Sequence, residues 1–182
     1  LPSFTEDLLL TELENFKQWV IIAFAQLSLS VEEEQHWQNT VQQIHTICAE
    51  QPQVGVHRDY HSRNLMILAD DSIGILDFQD AVIGPITYDL VSLLRDCYVD
   101  WPIEQVHQWV DNYYQNFVDP QLCSRAQFHR WFDWQGLQRH LKALFIFCRK
   151  FLRDGSYHYL SDIPRTFFYA CAECAPYPEL HW

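Results

Sequence analysis

Glycine is scarce in this chain, and what there is never clusters. The five glycines among 182 residues, at positions 55, 74, 84, 136 and 155, all stand alone. No glycine-rich loop is present to wrap backbone amides around a phosphate. Basic side chains are also few: 12 against 24 acidic ones give a net charge of −12. A field of that sign repels nucleic acid and anionic membrane, which excludes both as expected partners. Apolar runs such as Trp19 to Ala25 fall well short of the roughly 20 residues that span a bilayer. The chain opens Leu1-Pro2-Ser3-Phe4, without the basic segment of a secretory signal. Repeats and low-complexity linkers are absent. The six cysteines (48, 97, 123, 148, 171 and 174) sit mostly in apolar helical segments. Cys171-Ala172-Glu173-Cys174 has no second C-x-x-C pair, so two small core residues are expected there rather than half a zinc site. A reduced, cytoplasmic setting fits this usage.

What is abundant is apolar. Hydrophobic residues make up 48% and aromatics 15% of the chain, enough for one packed domain over residues 1–182. The dominant period is helical. Ser3 with Glu6 and Ser30 with Glu33 form capping-box patterns. The first opens a helix through Leu8, Leu9, Leu13, Phe16 and Val20. The second opens one through Trp37, Val41, Ile44 and Ile47 that ends at Ala49 before Pro52. Further helices are expected from Tyr88 to Val99, Ile103 to Phe117 and Arg125 to Arg153, with a last one from Pro164 that fades before Pro176. Glu32-Glu33-Glu34 is read as a solvated helix start, so bulk acidity does not choose a ligand. Only the segment from Val54 to Asp80 is strongly β-like. The expected fold class is mainly α with a small catalytic β-hairpin.

That β-like segment carries the chemistry. It contains His57-Arg58-Asp59-Tyr60-His61-Ser62-Arg63-Asn64 and then Ile75-Leu76-Asp77-Phe78-Gln79-Asp80. Between them, apolar Leu65-Met66-Ile67-Leu68 and Ile73-Gly74-Ile75-Leu76 flank a polar turn in the manner of a hairpin. A hairpin brings its ends together, so Asn64 at its entrance and Asp77 at its exit become neighbours. Two hard oxygen donors suit magnesium, which keeps several waters and needs only one or two carboxylates beside substrate phosphates. Asp59, on the loop feeding the hairpin, is placed to accept or orient a hydroxyl proton. The spacing fits phosphoryl transfer, where the protein positions the reactants and stabilises charge. The alternative is an ordinary polar loop, since these residue types are common in turns.

The catalytic loop together with Asp77-Phe78 resembles the aminoglycoside phosphotransferase and choline kinase group, relatives of protein kinases. His61 stands where a protein kinase usually has lysine, Gln79 replaces the glycine of D-F-G, and no A-P-E segment follows. The longer run is similar to bacterial kinases that phosphorylate the anomeric hydroxyl of N-acetylmuramate and N-acetylglucosamine. It comprises Asp77 to Ala81, Gly84-Pro85, Tyr88-Asp89-Leu90, Ser92 to Asp96, Gln138 to Lys142 and Asp162 to Arg165. The resemblance implies the C-terminal lobe of a protein-kinase-like fold across 1–182, with ATP and Mg2+ as cofactors. Asp59 is then the catalytic base, and Asn64 and Asp77 the metal ligands. No V-A-I-K-like strand is present, so the resemblance also implies a separate N-terminal nucleotide lobe that completes the ATP site. The chain alone is expected to turn over little. Kinases of an aminoglycoside, a choline-like or other small alcohol, and a non-catalytic kinase-like module, are the alternatives.

Other positions carry two readings each. Gln135, Arg139 and Lys142 share a face of the long helix. They are either solvated or, with Trp134 or Trp131 as an aromatic platform and with His140, the wall of a sugar pocket where arginine would meet a carboxylate. Asp80 bonds a sugar hydroxyl or caps its loop. Arg63 leans toward the phosphates or makes a surface ion pair. Asp89 and His57 brace the catalytic loop. Met66 and Leu76 form an apolar floor under adenine, a role that the resemblance alone implies.

Overall fold

The structure is a computed structural model, described over residues 1–181. Its centre is α5 (Arg125–Asp154), a 30-residue helix about 45 Å long at 1.5 Å per residue. Ser124 caps its start by accepting the Gln127 amide at 3.2 Å. Gly155 ends it at φ 64°, a left-handed conformation open to glycine without a side-chain penalty. There its amide and that of Ser156 donate to the Phe151 and Lys150 carbonyls. Around α5 pack α1 (Glu6–Phe16), α2 (Val31–Ala49), α3 (Tyr88–Leu94), α4 (Ile103–Phe117) and α6 (Ile163–Cys174). A π-helical stretch, Lys17–Phe24, continues α1. Leu9, Leu13, Ile44, Val110, Phe128, Phe132 and Leu144 are fully enclosed where these helices meet.

Two small antiparallel sheets interrupt the helices. β1 (Gln53–Val56) pairs with β4 (Val82–Pro85), placing Gln53 opposite Pro85 and Val56 opposite Val82. β2 (Leu65–Ile67) pairs with β3 (Ile73–Ile75), with Leu65 opposite Ile75. The β2–β3 hairpin is the expected one. The β1–β4 pair was not legible, because Gly84-Pro85 reads as a breaker, whereas Pro85 ends its strand. The chain start adds to this sheet, with the Phe4 amide on the Ile83 carbonyl and the Ile83 amide on the Pro2 carbonyl, both at 2.7 Å.

The Ser30–Glu33 capping box is present in both directions, at 2.7 and 3.2 Å. Ser3, however, is not a cap: it lies in a bridge to Ile83, and Thr5 caps α1 by accepting the Leu8 amide. The helix from Tyr88 stops at Leu94 rather than Val99. Arg95 leaves helical geometry there and buries its guanidinium between Asp133 and Glu173. Cys171 is exposed rather than core, Cys174 is half-buried, and all six cysteines are free. Among the described residues, no helix is long and apolar enough to cross a membrane.

Candidate active site

The loop from His57 to Asn64 is held from below. Asp89, in the first turn of α3, accepts the His57 amide at 2.6 Å and the Arg58 amide at 3.1 Å. Burial raises its carboxyl above the ordinary value, against the pull of those two amides. The His57 Nε2 lies 2.8 Å from the Leu76 carbonyl and its Nδ1 lies 3.3 Å from the Asp59 amide. A carbonyl only accepts and an amide only donates, so the ring carries its proton on Nε2. Asp96 takes the Ser62 and Tyr98 amides, each at 2.8 Å. Both bracing roles expected of Asp89 and His57 are therefore present.

The hairpin does bring its ends together: the Leu76 amide donates to the Asn64 carbonyl at 2.9 Å. Asn64 turns its amide nitrogen onto the Asp59 carbonyl, also at 2.9 Å, which leaves its side-chain oxygen free. Asp77 sits at φ 65° and receives Gln79 Nε2 on Oδ1 at 2.7 Å. Arg58 has φ 76°. Positive φ at these two non-glycine positions costs roughly 1–2 kcal/mol each and is found where a site over-determines its backbone.

Asp59, Asn64, Asp77, Arg63, Arg139 and His140 line one cleft of about 390 Å3. Lys142, expected on the same face of α5 as Arg139, lines it too, and so do Asp96, Tyr98 and Tyr159, which carried no site signal in the sequence. The signal for Lys142 was its place one turn beyond Arg139 on the same helix. Arg139 Nη1 approaches Asp59 Oδ1 at 3.5 Å and the Tyr88 hydroxyl at 3.2 Å, while Lys142 Nζ stands 3.7 Å from the same Oδ1. Burial pushes the Asp59 carboxyl up, but the positive charges around it, Lys142 first and then Arg139, His61 and Arg58, outweigh that, so it ends below its ordinary value.

Behind this pair lies Glu12, which is buried. Its Oε1 takes Arg58 at 3.1 Å and faces Lys142 at 3.6 Å, and its Oε2 accepts Gln138 at 2.7 Å. Gln135 donates to Gln138 and accepts the Cys48 thiol. Gln135 is wholly buried, so it supports this chain of polar groups and does not reach a ligand. Trp134 is also enclosed, edge-on to Tyr177, and Trp131 is buried with its indole nitrogen on Glu50. The aromatic platform and the Gln135 amide expected in the pocket are thus core groups, because α5 is surrounded on nearly every side.

The remaining candidates divide. His140 borders the cleft, but its Nδ1 bonds Glu173 at 2.8 Å and its Nε2 bonds the Arg95 carbonyl at 3.0 Å. Both partners accept, so the ring is an imidazolium committed to the protein. Burial works against that charge, yet Glu173 overcomes it and the pKa is pushed up to about 10. Arg63 lies over the Tyr98 ring at 3.5 Å and pairs loosely with Asp162. Asp80 is exposed on the turn Phe78–Asp80, outside the cleft lining. Met66 and Leu76 are half-exposed on the hairpin, also outside it. Among the described residues, no three His, Cys, Asp or Glu side chains form a metal cluster.

An aspartate on the loop before a small hairpin, set beside Asn64 and Asp77 and carried by a helical bundle, defines a kinase-like helical lobe. The solved structure of a Plasmodium vivax ethanolamine kinase shares this fold, with a TM-score of 0.65 at 16% identity over 93% of this chain and 50% of that one. The chain belongs to the phosphotransferase enzyme family, whose profile matches residues 2–135. N-acetylmuramate/N-acetylglucosamine kinases of Neisseria meningitidis and Pseudomonas putida are each 40% identical to it over 99% of its length. The chain spans 54% of each of those relatives, about half their length.

Proposed function

We propose that this chain is the catalytic C-terminal lobe of a kinase that moves the γ-phosphate of ATP to the anomeric hydroxyl of N-acetylmuramate or N-acetylglucosamine. The observation that carries the reading is the meeting of Asp59, Asn64 and Asp77 on one cleft. Oδ1 of Asp59 faces Arg139 and Lys142, leaving Oδ2 for the acceptor hydroxyl. Held as a carboxylate, Asp59 orients that hydroxyl in line with the phosphorus and takes its proton as the new bond forms. The free oxygen of Asn64 and the second oxygen of Asp77 fit Mg2+, a hard cation content with few protein ligands. Bound magnesium supplies charge neutralisation for the phosphate oxygens. Arg139 lines the cleft, where its guanidinium can meet a carboxylate or acetamide oxygen of the sugar.

Met66 and Leu76 supply the apolar contact to adenine, and an N-terminal lobe closes the nucleotide site. Two facts support that lobe. The relatives are about twice this length, and the hairpin and the turn after it expose Ile67, Ile73 and Phe78 at 81%, 63% and 68%. Burying them against a partner gains roughly 25 cal/mol per Å2. Six free cysteines support a reducing, cytoplasmic location.

The test is turnover of the full-length polypeptide carrying this lobe, with each sugar, wild type against Asp59→Asn. A loss of about 100-fold or more in kcat is expected. Equal rates would remove Asp59 from the mechanism, and no phosphate transfer to either sugar would remove the substrate.

A further inference from the structure

Phosphoryl transfer needs fixed cations aimed at the moving group, and the cleft's cations can be taken in turn. Arg63 is spread over Tyr98 and faces Asp162. Arg95 is bonded by Asp133 at 2.7 Å and Glu173 at 2.9 Å. His140 spends both ring nitrogens on Glu173 and the Arg95 carbonyl. His61 stands edge-on to Tyr98, and burial pulls its imidazolium below the ordinary value. Arg139 divides Nη1 between Asp59 and the Tyr88 hydroxyl and lies over the Tyr88 ring, and its unpartnered Nε is buried away from the cleft surface.

Lys142 differs from all of these. It is buried yet lines the cleft, and its three oxygen neighbours lie at 3.4 Å (Tyr88), 3.6 Å (Glu12) and 3.7 Å (Asp59). None reaches the 2.7–3.2 Å of a full hydrogen bond. An ammonium carries three donors, and leaving them loosely met inside a protein is costly. Glu12 already holds Arg58 more closely, at 3.1 Å. The lysine is fixed in place by charge and still open to a better oxygen.

We infer that Lys142 is a catalytic residue: its ammonium, delivered by α5, bonds an oxygen of the phosphoryl group as it passes to the hydroxyl held by Asp59. The inference rests on the kinase reading above. At the point of attack the acceptor oxygen lies about 3–3.5 Å from phosphorus. The phosphoryl oxygens therefore come within range of a cation that neighbours the same carboxylate. The bond from phosphorus to the donor's bridging oxygen breaks, the bond to the acceptor oxygen forms, and the hydroxyl proton goes to Asp59. Lys142 keeps its proton throughout.

The experiment compares wild type, Lys142→Met and Lys142→Arg in the full-length polypeptide, with both sugars, with ATP hydrolysis in water alone, and with melting temperatures. The Met variant is expected to lose about 100-fold or more in kcat equally for both sugars, with KM within about threefold. The Arg variant should recover about tenfold of that loss, since it restores charge without the same geometry. Three results overturn the inference: a kcat within about threefold of wild type, a loss confined to KM for N-acetylmuramate, or an Arg variant no better than Met with both melting lower. The second would make Lys142 the reader of that sugar's carboxylate, and the third a structural ion-pair partner. A wild type that hydrolyses ATP and phosphorylates neither sugar overturns the substrate reading instead, and the hydrolysis rates then still decide the role of Lys142.

Discussion

Replacing Gly136 by alanine sets two effects of opposite sign against each other. Within a helix, alanine is favoured over glycine by roughly 1 kcal/mol, so an unhindered methyl on α5 would stabilise the protein. Here the added carbon would overlap Oε1 of Glu173 and stand 3.0 Å from Arg95 Nη1. Glu173 is only 2% exposed. It must shift, and in shifting it weakens its bonds to Arg95 at 2.9 Å and His140 at 2.8 Å. Breaking a buried, hydrogen-bonded ion pair costs about 3–5 kcal/mol, which outweighs the helix gain and leaves a net loss of about 2–4 kcal/mol. For a domain of this size each kcal/mol moves the melting temperature by about 2–4 °C, so differential scanning calorimetry should record a drop of roughly 5–15 °C. In a Glu173→Ala background the clash is gone, and the same substitution should become neutral or stabilising. A Gly136→Ala protein that melts at or above wild type would show that the carboxylate is not locked beneath the helix.

The same cluster predicts a pH dependence. The folded pKa of His140, about 10, lies above its ordinary 6.5. Its contribution is therefore complete below pH 6.5 and is lost as pH rises toward 10. Melting temperature should decline across that window, and a His140→Gln protein that declines as steeply would assign the slope to another group. Asn64→Ala and Asp77→Ala should each raise the Mg2+ concentration for half-maximal activity by at least the roughly tenfold that even supporting residues cost. An unchanged magnesium titration would remove that residue from the metal site. Trp134→Phe should lower the melting temperature while leaving KM for the sugar unchanged, since Trp134 packs against Tyr177 in the core. A raised KM with normal melting would return it to the pocket.

What the sequence revealed and what it concealed divide along one line, whether the cause is local. The Ser30–Glu33 box and the span of α4 depend on neighbours a few residues away, and each was readable. So was the hairpin, whose turn and flanking apolar runs are contiguous, and with it the approach of Asn64 to Asp77. β4 was hidden because its pairing comes from Gln53–Val56, about thirty residues upstream. The face of α5 was hidden for a related reason. Positions 135, 139 and 142 lie at i, i+4 and i+7, which defines one stripe on an isolated helix. With helices packed around it, that stripe splits by depth: Gln135 closes on Gln138 and Cys48, while Arg139 and Lys142 emerge beside Asp59.

That split explains why the buried polar groups are there at all. A cation loosely held beside the Asp59 carboxylate would collapse onto it unless something restrained both. The restraint runs through Cys48, Gln135, Gln138 and Glu12 to Arg58 and Lys142, linking α2, α5 and α1 to the loop. Each link buries polarity that an apolar core would avoid, and a partly satisfied network is worse than none. The network holds Arg58 and Lys142 in position. It fixes Arg58 in its left-handed conformation from one side while Asp89 fixes it from the other. Asp59 and Lys142 are thereby held near each other, at 3.7 Å, without closing to a full bond.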